Sequence, residues 1–232
     1  MASESWRCDW ITEKCEIASA LARGEAGGSY SEAVILVCAA LSALAAEVWP
    51  GHNKIDQARF IELLVRLGPT PNIPMTISVP LLVRHVELTS SKSGAQLLRD
   101  TFLPFSATRI VTGPEVDKSE DEVLSIYPDL SAKDIRKFSY AYLLYKEVRS
   151  AHAHEYKPGA KADSWSMTMS GGQSVSYVNR LLAAGIPKTS RLIHFPIAWL
   201  AKLAIDIAMD IDIHRASLPR LAPASWWIDG AT

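Results

Sequence analysis

Residues 33–46, AVILVCAALSALAA, carry no charge and no helix breaker, and Glu32 and Glu47 bracket the run. Wound into a helix, such a segment is apolar almost all round, so it belongs in an interior and not on a surface. Its alanines let neighbouring helices come close. The chain must therefore supply several other helices to cover this one. The run is too short to span a bilayer, which takes about 20 apolar residues.

The surrounding sequence provides those helices, punctuated by Gly and Pro. Ser29 stands three residues before Glu32, a capping-box spacing that opens the apolar helix, and Pro50-Gly51 closes it near Val48. The pattern predicts helices over about 12–23 and 55–67, stopped by Gly27-Gly28 and Gly68-Pro69. "PTPNIPMTISVP" cannot be a regular helix. Residues 81–87 fit a short helix or a strand, a short helix comes next near 95–103, and the acidic "GPEVDKSEDE" reads as a solvated loop or as the acidic first turn of the next helix. Ser131 and Asp134 resemble another N-cap, and from there a helix can run to about Tyr156. At about 1.5 Å per residue it would be a long one, near 37 Å.

Beyond that helix the pattern changes. "SWSMTMSGGQSVSYVN" alternates on both sides of Gly171-Gly172, predicting a β-hairpin over about 164–179, with "RLIHF" as a third short strand. Pro196 introduces a helix over about 197–216, whose Lys202, Asp206 and Asp210 share a wet face. Trp226 and Trp227 suggest that the tail docks. The expected fold is mainly α: one domain over 1–232, with a helical bundle over about 12–157, a small antiparallel β-hairpin and a C-terminal helix.

Charge narrows the partners. A net charge of -1 excludes the globally basic character of many nucleic-acid-binding arms, but the distribution is uneven. Residues 115–129 hold six acids and one lysine, whereas 131–161 hold seven Lys/Arg and three Asp/Glu. Any polyanion would be drawn to that second stretch. Cys8, Cys15 and Cys38 lack metal or disulfide spacing and fit a reducing cytosol. The opening residues lack a signal-peptide pattern, so the expectation is a soluble, cytoplasmic protein away from membranes.

The basic stretch contains "LLYKEVRSAHAHEYKPG", residues 143–159. Read as a helix, Ile135, Phe138, Tyr142, Tyr145, Arg149 and His152 form one stripe, apolar at first and cationic or titratable at its end. Leu144, Val148 and Ala151 form an adjacent apolar line. The plain reading is an arginine paired with a carboxylate such as Glu147 or Glu155, and histidines favoured by the helix dipole. His154 lies five residues past Arg149, about 140° around an ideal helix. The two converge only if the last turn loosens or a second subunit faces the first.

R-S-A-H-A-H resembles the R-x4-H motif of HEPN domains, read as Arg149 and His154, after an apolar, Tyr-rich run at the end of a helical bundle. The resemblance covers roughly 12–159, and the hairpin and last helix look like the β-containing extension of some branches. It implies a metal-independent endoribonuclease that cleaves RNA through its own 2′-hydroxyl, needs no cofactor, and shares its site across a homodimer. In that reading His154 is the general acid/base, Arg149 the phosphate binder, and Ser150 or His152 the support, with the two histidines exchangeable in role. Tyr156, Lys157 and Lys161 would hold the RNA. The family also implies a toxin or antiviral defence role, with room for an antitoxin or other regulatory partner protein. Where Ser150 stands the family often has Asn, Asp or His, which keeps open an inactive, HEPN-like dimerisation or binding module.

A metallo-enzyme is the remaining rival. The rings of His152 and His154 would splay about 200° apart on a helix. "DIDIH" places Asp210, Asp212 and His214 close together, but Asp210 and His214 continue the wet stripe of Lys202 and Asp206, so no metal ligand is expected there. No P-loop, G-x-S-x-G or H-E-x-x-H occurs. His52, His85 and His194 stand alone and read as structural or surface histidines.

Overall fold

The computed structural model describes residues 6–50, 56–69, 73–89, 92–104, 109, 111–164, 173–181, 189–214 and 226–229. The architecture is mainly helical with one small antiparallel sheet. Helices α1 (Trp6–Ala22), α2 (Tyr30–Val48) and α3 (Asp56–Arg66) come first, then the pair α4 (Val79–Thr89) and α5 (Lys92–Phe102). Three short helices are next: α6 (Gly113–Val116), α7 (Glu120–Ile126) and α8 (Ala132–Arg136). Then α9 (Tyr140–Leu143), a π-helical turn (Leu144–Arg149) and α10 (Ser150–Glu155) together make one rod. Helix α11 (Ile197–His214) is the last long one.

The apolar helix is central, as its composition demands. α1, α3, α11, the π turn and α10 all pack on α2, whose Val34, Val37, Leu41 and Leu44 are fully buried. Ser29 and Glu32 form the expected capping box, each satisfying the other's backbone amide. With 19 residues, α2 is the one described helix long and apolar enough to cross a membrane, and protein packs against it on several sides. Residues 81–87 resolve as helix within α4.

A helix starts where Ser131 and Asp134 suggest, with the Ser131 hydroxyl accepting from the Asp134 N–H at 3.1 Å, but it does not run unbroken to Tyr156. It stops at Arg136 and restarts at Tyr140, with Ser139 as N-cap accepting from the Tyr142 N–H at 3.2 Å. The cause is a tertiary contact. Extended residues 76–78 lie beside 138–140, with Ser78 N–H to Phe138 O at 2.8 Å and Tyr140 N–H to Thr76 O at 3.0 Å. Those amides and carbonyls are spent across the chain and are lost to the helix.

In the acidic stretch from Gly113 the second alternative holds: Glu120, Asp121 and Glu122 form the acidic first turn of a helix, and the stretch is not a solvated loop. It folds as α6 and α7, each opened by a capping box, and turns Asp117 inward.

The small antiparallel sheet includes the expected "RLIHF" strand and an added short strand before it in the chain. Its strands are β1 (Val111–Thr112), β2 (Ser176–Leu181) and β3 (Thr189–His194), in the order β1-β2-β3. The "SVSYVN" half pairs with the "RLIH" strand in register Ser176–His194. Ser176 and Tyr177 have β1 on their other side. Residues 165–172, including the expected turn, lie outside the described residues.

The tail docks, as its tryptophans suggest. Trp227 is buried, and its N–H donates to the fully buried Glu62 at 2.6 Å. Arg136 lies 4.7 Å over its ring, donates to its carbonyl and pairs with Glu120 at 2.6 Å. We expect Arg136→Ala to lower unfolding free energy by about 3 kcal/mol, because a half-buried carboxylate and a backbone carbonyl both lose their partner. Denaturant unfolding monitored by tryptophan emission checks this, and an earlier change at Trp227 should accompany the loss.

Candidate active site

The rod 140–155 carries every catalytic candidate. Its π turn is defined by the Ser150 N–H reaching Tyr145 O, five residues back. Such turns insert one residue into an α-helix and rotate the residues beyond it. Here the widened turn lets Arg149 fold back over its own helix, with its guanidinium 5.3 Å from the Tyr145 ring centre.

Arg149 does not pair with Glu147 or Glu155. Its Nη2 lies 2.7 Å from Asp56, the first described residue of α3. Asp56 also faces Arg59 at 3.7 Å and accepts from the Tyr145 hydroxyl at 3.4 Å. One carboxylate thus stands between two guanidinium groups, leaving a formal excess of one positive charge. Burial, then Asp56, raises the Tyr145 pKa, so its phenol stays protonated. The Arg149 side chain keeps 23% exposure: it is held, yet open to solvent.

The two histidines part company. His152, expected as a support for Arg149 or as the exchangeable partner of His154, is buried on the inner face of α10. Its Nδ1 sits 2.9 Å from Val148 O and therefore donates, and its ring meets Tyr30 edge-on at 6.1 Å. Burial lowers its pKa, which keeps it neutral. This corrects the expectation: the helical step that seats Val148 in the core seats His152 there too. His154 is exposed at the end of α10, and Ser150 is half-buried. Within one chain the structure joins Arg149 to Asp56, Arg59 and Tyr145, while His154 lies on another face of the same rod.

The helix stop brings the other candidates to the same end. Tyr156 takes the left-handed conformation at the C-cap (φ 56°) and is 55% exposed. Lys157 pairs with Glu155 at 3.1 Å, both exposed. Lys161 lies 4.0 Å from Glu147 and 4.9 Å from the Phe138 ring centre, which draws it back along the rod. Glu147 is buried because the chain folds over it: its carbonyl accepts from the Gly159 N–H at 2.7 Å. A Cβ on Gly159 would collide with the Glu147 carboxylate and lie 3.1 Å from its Cα, so a side chain there would force Glu147 to shift.

Sequence reasoning missed Asp56 and Arg59, which approach from a helix some ninety residues upstream. No group of three or more His, Cys, Asp or Glu is placed to hold a metal among the described residues, and Asp212 of the C-terminal run pairs with Arg7 at 2.8 Å. His194 is buried against Asp163 O, His85 is exposed, and His52 lies outside the described residues. Compared with known proteins, the chain matches no family model, no curated protein and no solved structure.

Proposed function

We propose that this chain is a metal-independent endoribonuclease of HEPN type, acting in the cytoplasm as a toxin or antiviral defence effector. One observation carries the reading: Arg149 is held by Asp56 and Tyr145 at the open end of a helix whose next turn presents the exposed His154. Two such ends facing each other across a two-fold axis would bring together two guanidinium and two imidazole groups. One imidazole takes the proton from the 2′-hydroxyl as its oxygen attacks phosphorus. The other gives a proton to the departing 5′-oxygen as that P–O bond breaks. Imidazole suits both steps near neutral pH. Arg149 holds Asp56 with Nη2, and the rest of its donor fork is left for the non-bridging phosphate oxygens.

The same Asp56–Arg149 pair favours a second reading, in which Arg149 is structural and the chain is a catalytically inactive HEPN-like dimerisation or binding module. Incubating the protein with RNA in excess EDTA separates the two. The enzyme reading expects cleavage that survives chelation and leaves 2′,3′-cyclic phosphate ends. RNA that stays intact at every soluble protein concentration favours the module.

A further inference from the structure

A second feature of the fold is independent of RNA. Between the start of α9, the turn of α6 and the first half of α11 lies a half-open cavity of about 610 Å³, a size suited to a small molecule. Its described walls are mostly apolar, with Ile73 and Leu203 among them, and the Trp199 indole forms one side. That indole is fixed from behind, tilted against Phe195 at 5.4 Å and edge-on to Tyr140 at 6.0 Å.

Carboxylates outnumber cations among the charged groups of this cavity, and its neutral polar lining is Thr76, Tyr140, Gln173 and Ser174. Asp117 forms part of the wall and is 7% exposed, and among the described residues no guanidinium or ammonium is bonded to it. Its Oδ2 accepts from the hydroxyls of Tyr140 and Tyr177, the second at 2.6 Å, and its Oδ1 accepts from the Val79 N–H at 3.1 Å. Asp206 is the second carboxylate, 17% exposed. Lys202 is the one lining cation among the described residues. Its ammonium is held on Asp206 at 2.7 Å, and 75% of its side chain stands in solvent.

The wall therefore has two acids and one outward base. An anionic ligand would meet two carboxylates there, and the Gly113 N–H is already given to Val175 O at 2.7 Å. The space around Asp117 is shaped closely: a Cβ on Gly113 would fall 2.0 Å from the Tyr140 hydroxyl.

We propose that this cavity binds a small organic cation, an alkyl- or arylammonium whose charge lies against Asp117 and Asp206 and whose apolar body rests on Trp199. A carboxylate in an apolar wall is unfavourable until a cation joins it, and an indole face adds attraction for the same charge. The shape selects the body and the two acids select the head.

Calorimetric titration tests this at about pH 8, where a carboxyl and an alkylammonium are both charged. The probes are 2-phenylethylammonium and tryptamine, each beside its neutral alcohol and its carboxylate of matching skeleton. Each ammonium should bind saturably and at least about tenfold tighter than its alcohol, with the carboxylate weakest. Asp206→Asn, close to the surface and safe for folding, should weaken ammonium binding about tenfold, and Trp199→Ala about fivefold. The proposal is overturned if neither ammonium saturates, if the alcohols bind equally well, or if both variants bind as wild type does. RNA cleavage enters none of these readouts, so this result and that of the nuclease assay are separable.

Discussion

His154→Ala abolishes RNA cleavage, with an expected loss of about 10²–10⁴-fold, and leaves the unfolding midpoint where it was. The second half rests on placement. The imidazole is exposed at the end of α10 and has no described partner, so its removal leaves no cavity and no orphaned group. Arg149→Ala should lose cleavage too, but with a cost in stability of about 1 kcal/mol, because Asp56 gives up its closest cation at a half-exposed site. Arg149→Lys keeps the charge and loses the planar fork, so it should restore most of the stability and little of the activity. An inactive module gives the opposite pattern: RNA binding or dimerisation unaffected by His154→Ala and weakened by Arg149→Ala only as far as stability falls. Measuring cleavage and urea unfolding on the same three variants distinguishes the two.

Legibility in the chain divides by range of interaction. The capping box at Ser29 and Glu32, the interior position of α2 and the helix stops are local matters, decided by neighbours in sequence, and the fold shows them. The docking of Trp227 reflects an aromatic side chain that water would not keep. The interruption at 137–139 is different. Nothing near Phe138 breaks a helix; the break comes from residues 76–78, which take over its backbone partners. The pairing of "SVSYVN" with β1 is likewise long-range, and no local spacing marks it. Asp117 escapes a sequence reading for the same reason. Among so many acids it looks solvated, and Tyr140, Tyr177 and the Val79 N–H, brought from other elements, make its burial tolerable. At the candidate site the stripe places Arg149 correctly at the edge of the core. Its counter-ion comes from α3, and no local spacing marks Asp56 for that role.

The buried Asp117 makes the fold itself sensitive to pH in an unusual direction. Burial pushes its carboxyl up from the ordinary 3.8 to about 7, against the pull of Tyr140, Tyr177, the Val79 N–H and the Lys118 charge. A raised acid pKa means the folded state binds the proton more tightly than the unfolded chain does. Stability from this group is therefore complete below about pH 4 and falls as pH rises toward 7, after which it levels off. The full span corresponds to about 4 kcal/mol. Other groups tilt the opposite way. Burial lowers His152 and His194, and capping bonds lower Glu32, Glu115 and Glu122, so each of these favours the fold as pH rises through its own range. The wild-type profile sums all of them, and for that reason the informative quantity is a difference. Asp117→Asn cannot ionise and keeps one acceptor for the tyrosines, while the distant groups cancel between the two proteins. Near pH 4.5 the variant should be the less stable by about 1–2 kcal/mol, the cost of a worse hydrogen-bond match. Near pH 8 the order should reverse, with the variant ahead by about 2 kcal/mol. A urea series at both pH values measures the crossing. A difference that stays constant, or grows in favour of wild type as pH rises, means that Asp117 is not desolvated as the fold places it.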